Sequence, residues 1–332
     1  MIRFSCIGAV LILATAAVSA SAARKPVILD TDICDDIDDT WALALLLQCP
    51  ELEPKLVVTA VGNTEAKARV VAKFLDRVDR TDVPVGIGVK QRDGSHRHTD
   101  WAKSYDLSRY PGTVYEDGVD AMIDIIMKSP RRVTVIAVGP LPNIGEALKR
   151  EPRIAEKADF IGMHGSVYKG YGGSAKISAE YNVRADVAAC RKAFTAPWDM
   201  TITPLDTCGL VVLRGDKYQK VLKRNSAITG NLLQNYRLWY KNGLRGRQKD
   251  ADEADLRRQV DKKLNSSSST LFDTVAIYLA VARDLTEMKR LPIEVTDEGY
   301  TKIVQGAKMI DCAINWKDLG AYEDWLVKRL TQ

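Results

Sequence analysis

Cysteine is sparse and poorly spaced for metal or disulfide work. The chain holds 6 cysteines in 332 residues, and no C-x-x-C pair occurs. Setting aside Cys6, near the amino terminus, leaves Cys34, Cys49, Cys190, Cys208 and Cys312. An odd number argues against a disulfide framework, with room for one pair in an oxidising compartment. Histidine numbers only 3, and no Cys/His set has zinc spacing. No G-x-G-x-x-G is present, which removes the dinucleotide fingerprint. Internal repeats are absent. An excess of one charge is lacking too: 48 Lys and Arg stand against 43 Asp and Glu, a formal net charge of +5. The basic residues are scattered and leave no footprint for nucleic acid.

Long apolar runs are confined to the start. Ile7 to Val18 is apolar but too short to span a bilayer comfortably. Arg3 precedes it, and Ala20-Ser21-Ala22 follows as a small-x-small site. This pattern predicts a secretory signal over 1–22, cut after Ala22, with an uncleaved anchor as the alternative. A secreted or periplasmic protein is expected, with no membrane association once the signal is removed. The remainder, 23–332, is long enough to bury a large core.

Strand-like and helical patterns alternate through that remainder. Strands are expected at Val27–Leu29, Val57–Val61, Val83–Ile87, Val133–Val138, Phe160–Met163 and Met200–Thr203. Helices are expected at Glu65–Val78, Asp117–Lys128, Asn143–Lys149 and Asp186–Thr195. The alternation predicts an α/β fold: an open, mainly parallel, Rossmann-like sheet with helices on both faces. Ligands of such sheets bind at the carboxyl ends of the strands. Two segments break the rhythm. Gln91–Pro111 is polar and aromatic, and Asn242–Thr270 is strongly charged. The stretch 242–270 reads as a mobile insert beside the site.

What is present in excess is carboxylate, in one place. Asp30, Asp32, Asp35, Asp36, Asp38 and Asp39 fall within ten residues, between a buried strand and an apolar helix. So many acids in one turn repel one another and raise each other's pKa unless a cation sits among them. Oxygen donors of this kind suit Ca²⁺ or Mg²⁺. The bland alternative is a solvated acidic loop. Asp35-Asp36-Ile37-Asp38-Asp39 also imitates the DDxxD of terpene synthases, but that motif belongs on a helix of an all-helical protein. Asp30 and Asp32 match the DxD of haloacid-dehalogenase-type phosphatases, which would need a Lys and a further acidic pair.

The fuller match is to another family. Asp30-Thr31-Asp32 followed by Asp38-Asp39 resembles the amino-terminal signature of the inosine-uridine-preferring nucleoside hydrolases. Val61-Gly62-Asn63 resembles that family's second strand end. Val138-Gly139-Pro140-Leu141-Pro142-Asn143-Ile144 resembles its GPLTNI turn. Met163-His164-Gly165-Ser166 stands where MGG is usual. Glu180-Tyr181-Asn182 resembles the EFN motif, and Phe272-Asp273 resembles the late HD motif. The motifs keep the family's order, each at an expected element end.

The resemblance implies hydrolysis of the N-glycosidic bond of a ribonucleoside or related ribosyl compound, a small-molecule substrate, through an oxocarbenium-like transition state. It implies Ca²⁺ bound by Asp32, Asp39, Asp273 and the carbonyl oxygen of Val138, activating a water and templating the sugar. Asp32 would also be the general base. Asp38, Asn63, Glu180, Asn182 and Asp273 would hold the sugar. A homodimer or homotetramer is the assembly the resemblance implies.

Two departures matter. The acidic turn is two residues longer than the common DTDPGIDD form, which leaves Asp36 as an alternative ligand. Phe272 replaces the His that would protonate the leaving base, and a phenyl ring can only pack there. His164 is the leading substitute acid, with His96, His98, Tyr236 and Tyr240 behind it. Trp239 and Tyr240 are candidates for stacking on the base. Phe272 also motivates a different reading: a ribosyl- or sugar-binding protein that has lost turnover.

Overall fold

Strand β1 (Lys25–Thr31) divides its side chains between two apolar layers. Val27 and Leu29 enter one layer and Ile28 the other, and all three are fully buried. This period of two marks a central strand covered on both faces. The computed structural model describes residues 23–91 and 96–332, so the signal expected over 1–22 lies outside the described residues.

The chain continues through α1 (Asp38–Leu47), β2 (Leu52–Thr59), α2 (Thr64–Arg77), β3 (Val85–Ile87), β4 (Val114–Tyr115), α3 (Gly118–Lys128) and β5 (Val133–Ala137). Next come α4 (Pro142–Arg150), α5 (Ile154–Lys157), β6 (Ala158–Gly162), α6 (Tyr181–Ala185), α7 (Val187–Thr195) and β7 (Met200–Ile202). The last part holds α8 (Gly215–Lys223), α9 (Ala227–Arg247), α10 (Glu253–Ser266), α11 (Thr274–Val281), β8 (Thr286–Val295), β9 (Thr301–Ile303), β10 (Met309–Trp316) and α12 (Leu319–Leu330).

Among the described residues the strands form one 10-stranded sheet in the order β4-β3-β2-β1-β5-β6-β7-β10-β8-β9. β1 to β7 run parallel, and β10 pairs parallel with β7. Only β8 and β9 are antiparallel to their neighbours. The expected α/β fold is therefore present. One face carries α1, α2 and α8 to α12, and the other carries α3, α4, α5 and α7.

β1 lies between β2 and β5. The chain leaves β1 to one side first and later resumes on the other, which opens a crevice at the carboxyl ends of β1 and β5. α1 begins in that crevice. Nine of its ten residues are buried, including Asp38 and Asp39. A helix buried all round needs no amphipathic stripe.

The stretch 242–270, expected as a mobile insert, is built into the core instead. It completes α9 and forms α10, whose Leu256, Val260 and Leu264 are buried against the helices around α1. Lys241 and Arg245 both pair with Glu253 across the intervening turn. No described helix is long and apolar enough to cross a membrane.

Asn143, at the start of α4, ties the crevice together. It is fully buried. Its Nδ2 donates to Asp30 Oδ1 at 2.7 Å and to the Thr59 carbonyl at 3.1 Å. Its Oδ1 accepts from the Val89 amide at 2.7 Å. Asn143→Ala strands these groups in the interior and is expected to cost about 3 kcal/mol, since each orphaned buried partner costs roughly 1–3. Urea unfolding with an unchanged slope checks it, and a loss below about 0.5 kcal/mol would contradict the bridging role.

Candidate active site

After Thr31 the backbone turns sharply rather than running straight into α1. Cys34 adopts φ 83°, the left-handed region that non-glycine residues rarely enter. Local bonds close the turn: Ile33 N donates to Thr31 Oγ1 at 3.1 Å, Asp35 N to the Asp32 carbonyl at 3.2 Å, and Ile37 N to Asp36 Oδ1 at 2.6 Å. Asp38 and Asp39 then occupy the first turn of α1, and Asp273 stands at the residue just before α11 with no side-chain capping bond. Both positions lie at the positive ends of helix dipoles, which favour carboxylates. The Thr31 hydroxyl donates to Asp39 Oδ1 and fixes its rotamer.

Residues far apart in sequence thus meet. Asp38, Asp39 and Asp273 each bring a carboxylate oxygen within 4.8 Å of the others, and all three are buried. Asp32 joins them in the lining of one cavity, with Asp35 and Asp36. A Cβ on Gly139 would lie 2.5 Å from Asp32 Oδ1, so this turn has room for the carboxylate only because residue 139 is glycine. The closest trio includes Asp38, which the sequence reading gave to the sugar.

Burial is the largest influence on Asp32, Asp36, Asp38, Asp39 and Asp273. It holds Asp38, Asp39 and Asp273 well above the usual carboxylate range, and their mutual repulsion adds to it. Asp32 is raised to about 7 by burial, with the Lys67 ammonium opposing the shift. Lys67 is fully buried on α2. Its Nζ donates to the Asp32 carbonyl at 2.8 Å and the Ala60 carbonyl at 3.1 Å, and lies 3.1 Å from Asp35 Oδ1. Sequence reasoning missed it. A Lys among small residues early in a helix following Gly62-Asn63 was the only available signal.

The donor set fits a hard divalent cation: all oxygen, mostly anionic, convergent and secluded. The carbonyl of Val138, in the cavity wall, accepts from Asn182 Nδ2 at 3.0 Å. One of its two lone pairs is thereby occupied and one is left for an ion.

Glu180 and Asn182 line the cavity beside Val138. Glu180 caps α6: Oε1 accepts from Asn182 N at 2.8 Å, and Oε2 accepts from Gly165 N at 3.1 Å and Val183 N at 3.3 Å. Burial raises its pKa to about 7 against the pull of these bonds. The Asn182 amide nitrogen also donates to the Met163 carbonyl at 3.0 Å, which leaves its side-chain oxygen for a ligand. Phe272 forms the aromatic side of the cavity. Its ring meets Tyr171 edge-on, with centroids 6.2 Å apart. Tyr171, Tyr181, Met163 and Arg97 complete the lining, and sequence reasoning placed none of them there.

Several sequence candidates lie elsewhere. His164 does not line the cavity. It is fully buried, with Nε2 3.1 Å from the Gly139 carbonyl and its ring packed near Phe160 and Phe194. Burial lowers its pKa to about 4. This corrects the expectation of an acid at His164, because a neutral imidazole behind the wall cannot reach a leaving base. Asn63 is likewise outside the lining and caps α2, accepting from Ala66 N at 3.0 Å. His98 is buried, 3.3 Å from Thr40 Oγ1. Tyr236 is buried with its hydroxyl on the Ser267 carbonyl at 3.1 Å. Tyr240 and Trp239 also lie outside the cavity lining. Asp30 is outside the cavity lining and accepts from Asn143, so only Asp32 of the phosphatase-like DxD reaches the site.

Solved nucleoside hydrolases share this fold. A plant nucleoside hydrolase superposes with a TM-score of 0.74 at 21% identity, covering 93% of this chain and 99% of its own. The purine-preferring ribonucleoside hydrolase of Gardnerella vaginalis gives 0.72 at 21% identity, covering 92% and 98%. The model of the inosine-uridine preferring nucleoside hydrolase family matches residues 27–319. The chain belongs to that family, whose members are metal-dependent N-glycosyl hydrolases.

Sequence relatives agree. The inosine-uridine preferring nucleoside hydrolase of Leishmania major is 32% identical over 197 residues, 55% of this chain and 60% of the relative. The non-specific ribonucleoside hydrolase RihC of Salmonella agona is 30% identical over 226 residues, 64% of this chain and 71% of the relative. The match to the Leishmania protein thus spans less than two thirds of that protein's length.

The raised acids have a measurable consequence. A carboxyl whose folded pKa exceeds its unfolded value of about 4 binds more protons in the native state, so stability falls as pH rises through that interval. Without a divalent ion, the melting temperature is expected to drop between about pH 4 and pH 7, the range spanned by the shifts of Asp32 and Glu180. A divalent ion held by these carboxylates would stabilise their ionised form, so added calcium is expected to remove most of the drop near pH 8. Melting curves in chelator and in calcium check this. Identical curves near pH 8 would contradict the cation cradle.

Proposed function

We propose that this chain hydrolyses the N-glycosidic bond of a ribonucleoside or related ribosyl compound, with one Ca²⁺ held by Asp32, Asp39, Asp273 and the Val138 carbonyl, and Asp38 alongside. The observation that carries the reading is the convergence of three buried carboxylates from two distant helix starts at the switch point of the sheet. The leader-like start of the sequence supports an exported protein.

Ca²⁺, when bound there, would supply a lowered water pKa and orient the sugar. The chain's own groups do the rest. Asp32 takes a proton from the attacking water. Asp38 and the Asn182 side-chain oxygen accept from ribose hydroxyls, and Glu180 closes that wall. The carboxylates also stabilise the positive charge that develops on the ribosyl ring as the bond to the base breaks. Met163 and Val138 line the same wall and offer the ring an apolar surface.

Phe272 motivates a second reading, a ribosyl-binding protein without turnover, because the ring cannot protonate a leaving base. One assay separates the two. Free ribose is measured from a nucleoside panel, with chelator, with calcium, and with Asp39→Ala. Ribose release is expected from the wild type in calcium. Chelator or Asp39→Ala should lower it by more than about 100-fold, since even groups that only support metal ligands are worth 10–100-fold. Release unchanged by both treatments would overturn the mechanism. Calcium-dependent nucleoside binding with no ribose would favour the second reading.

A further inference from the structure

The cavity is acidic on the sugar side, and its aromatic side is lined by Phe272, Tyr171 and Tyr181, without an imidazole. Arg97 is the only cation among the described lining residues. Its position is built, not incidental. The Arg97 amide donates to the Cys34 carbonyl at 3.0 Å, which ties it to the acidic turn. Its carbonyl accepts from Asn242 Nδ2 at 2.6 Å, which ties it to α9. The guanidinium lies 5.2 Å from the Trp239 ring centroid. A Cβ on Gly243 would sit 3.8 Å from its Nη1. Trp239 and Gly243 are four residues apart on one face of α9, so the side chain rests on a rigid surface. Its side chain shares the cavity lining with Asp36 and Phe272.

We propose that Arg97 is a catalytic residue that stabilises the base as it leaves with the bonding electron pair. The inference rests on the hydrolase reading above. When the bond between C1′ and the base nitrogen breaks, both electrons pass to the base. Water oxygen bonds to C1′, and its proton goes to Asp32. A base not protonated during departure carries negative charge until solvent protonates it. A planar guanidinium is always charged, cannot give up its proton, and offers several donors to ring nitrogens or exocyclic oxygens. A donor fixed at that point acts on charge that develops in the transition state. This is electrostatic assistance in place of acid catalysis, at a site where Phe272 stands in the position of an imidazole. The plain alternative is that Arg97 only balances Asp36 and pins the loop.

The two roles differ in how they depend on the leaving group. Turnover is measured in calcium with inosine and with 4-nitrophenyl β-D-ribofuranoside, whose phenolate departs without help. The Arg97→Gln variant is expected to lose about 100-fold in kcat on inosine, the usual loss when one such donor is removed. Its kcat on the nitrophenyl riboside should stay within about twofold. Arg97→Lys should recover part of the loss on inosine, since it restores charge but not the planar fork. Equal losses on both substrates would show a loop-pinning role and overturn the proposal, as would no loss on inosine. A wild type inert to both substrates would overturn the hydrolase reading itself.

Discussion

Repulsion among buried carboxylates is the constraint on which the site depends. Asp38, Asp39 and Asp273 cannot all ionise at such separations in a dry setting without a cation between them. The fold contributes two helix starts and one buried ammonium to ease that repulsion, but Lys67 is already engaged with Asp35 and two carbonyls. The remaining imbalance gives the cluster its affinity for a divalent ion. The arrangement sacrifices stability of the empty protein for chemistry at the site.

The sheet makes this arrangement reachable. Because β1 is flanked by β2 and β5, its carboxyl end opens on a crevice that no crossing helix fills. Asp30, still within β1, is held by Asn143, while the turn after Thr31 carries Asp32 into the cavity. Gly139, at the end of the neighbouring strand β5, leaves the space that the Asp32 carboxylate occupies. Glu180, capping α6, holds the opposite wall with both oxygens bound to backbone amides. The sugar side is therefore rigid and over-determined. The base side is aromatic and sparse in donors, with Phe272 and Tyr171 in contact and a single guanidinium nearby.

Much of this was legible in the sequence. Strand–helix alternation up to Met200 gave the parallel sheet, because buried parallel strands read as short apolar runs and each break in pattern is a real element end. The acidic turn was legible because six carboxylates crowded between a buried strand and a buried helix fit a cation site better than a solvated loop. Motif order located Glu180, Asn182 and Asp273. The antiparallel β8 and β9 were not anticipated: β8 is half exposed and mixes Lys, Arg and Glu into its pattern. α10 was misjudged because its three buried residues, Leu256, Val260 and Leu264, are diluted by charge on every other face. His164 misled because a residue following a core strand can face the opposite layer, and sequence position does not give side-chain direction. Arg97 and Lys67 were invisible for a related reason. A lone cation shows its role only when the acids it faces are placed around it.

The central claim is that the acids of α1 and α11 grip one divalent ion in common. Crystals grown in calcium, measured for anomalous scattering, test it most directly. A single strong peak is expected at about 2.3–2.6 Å from carboxylate oxygens of both Asp39 and Asp273, the span of calcium–oxygen bonds. A site with no peak in excess calcium, or a peak touching the acidic turn but not Asp273, would contradict the account.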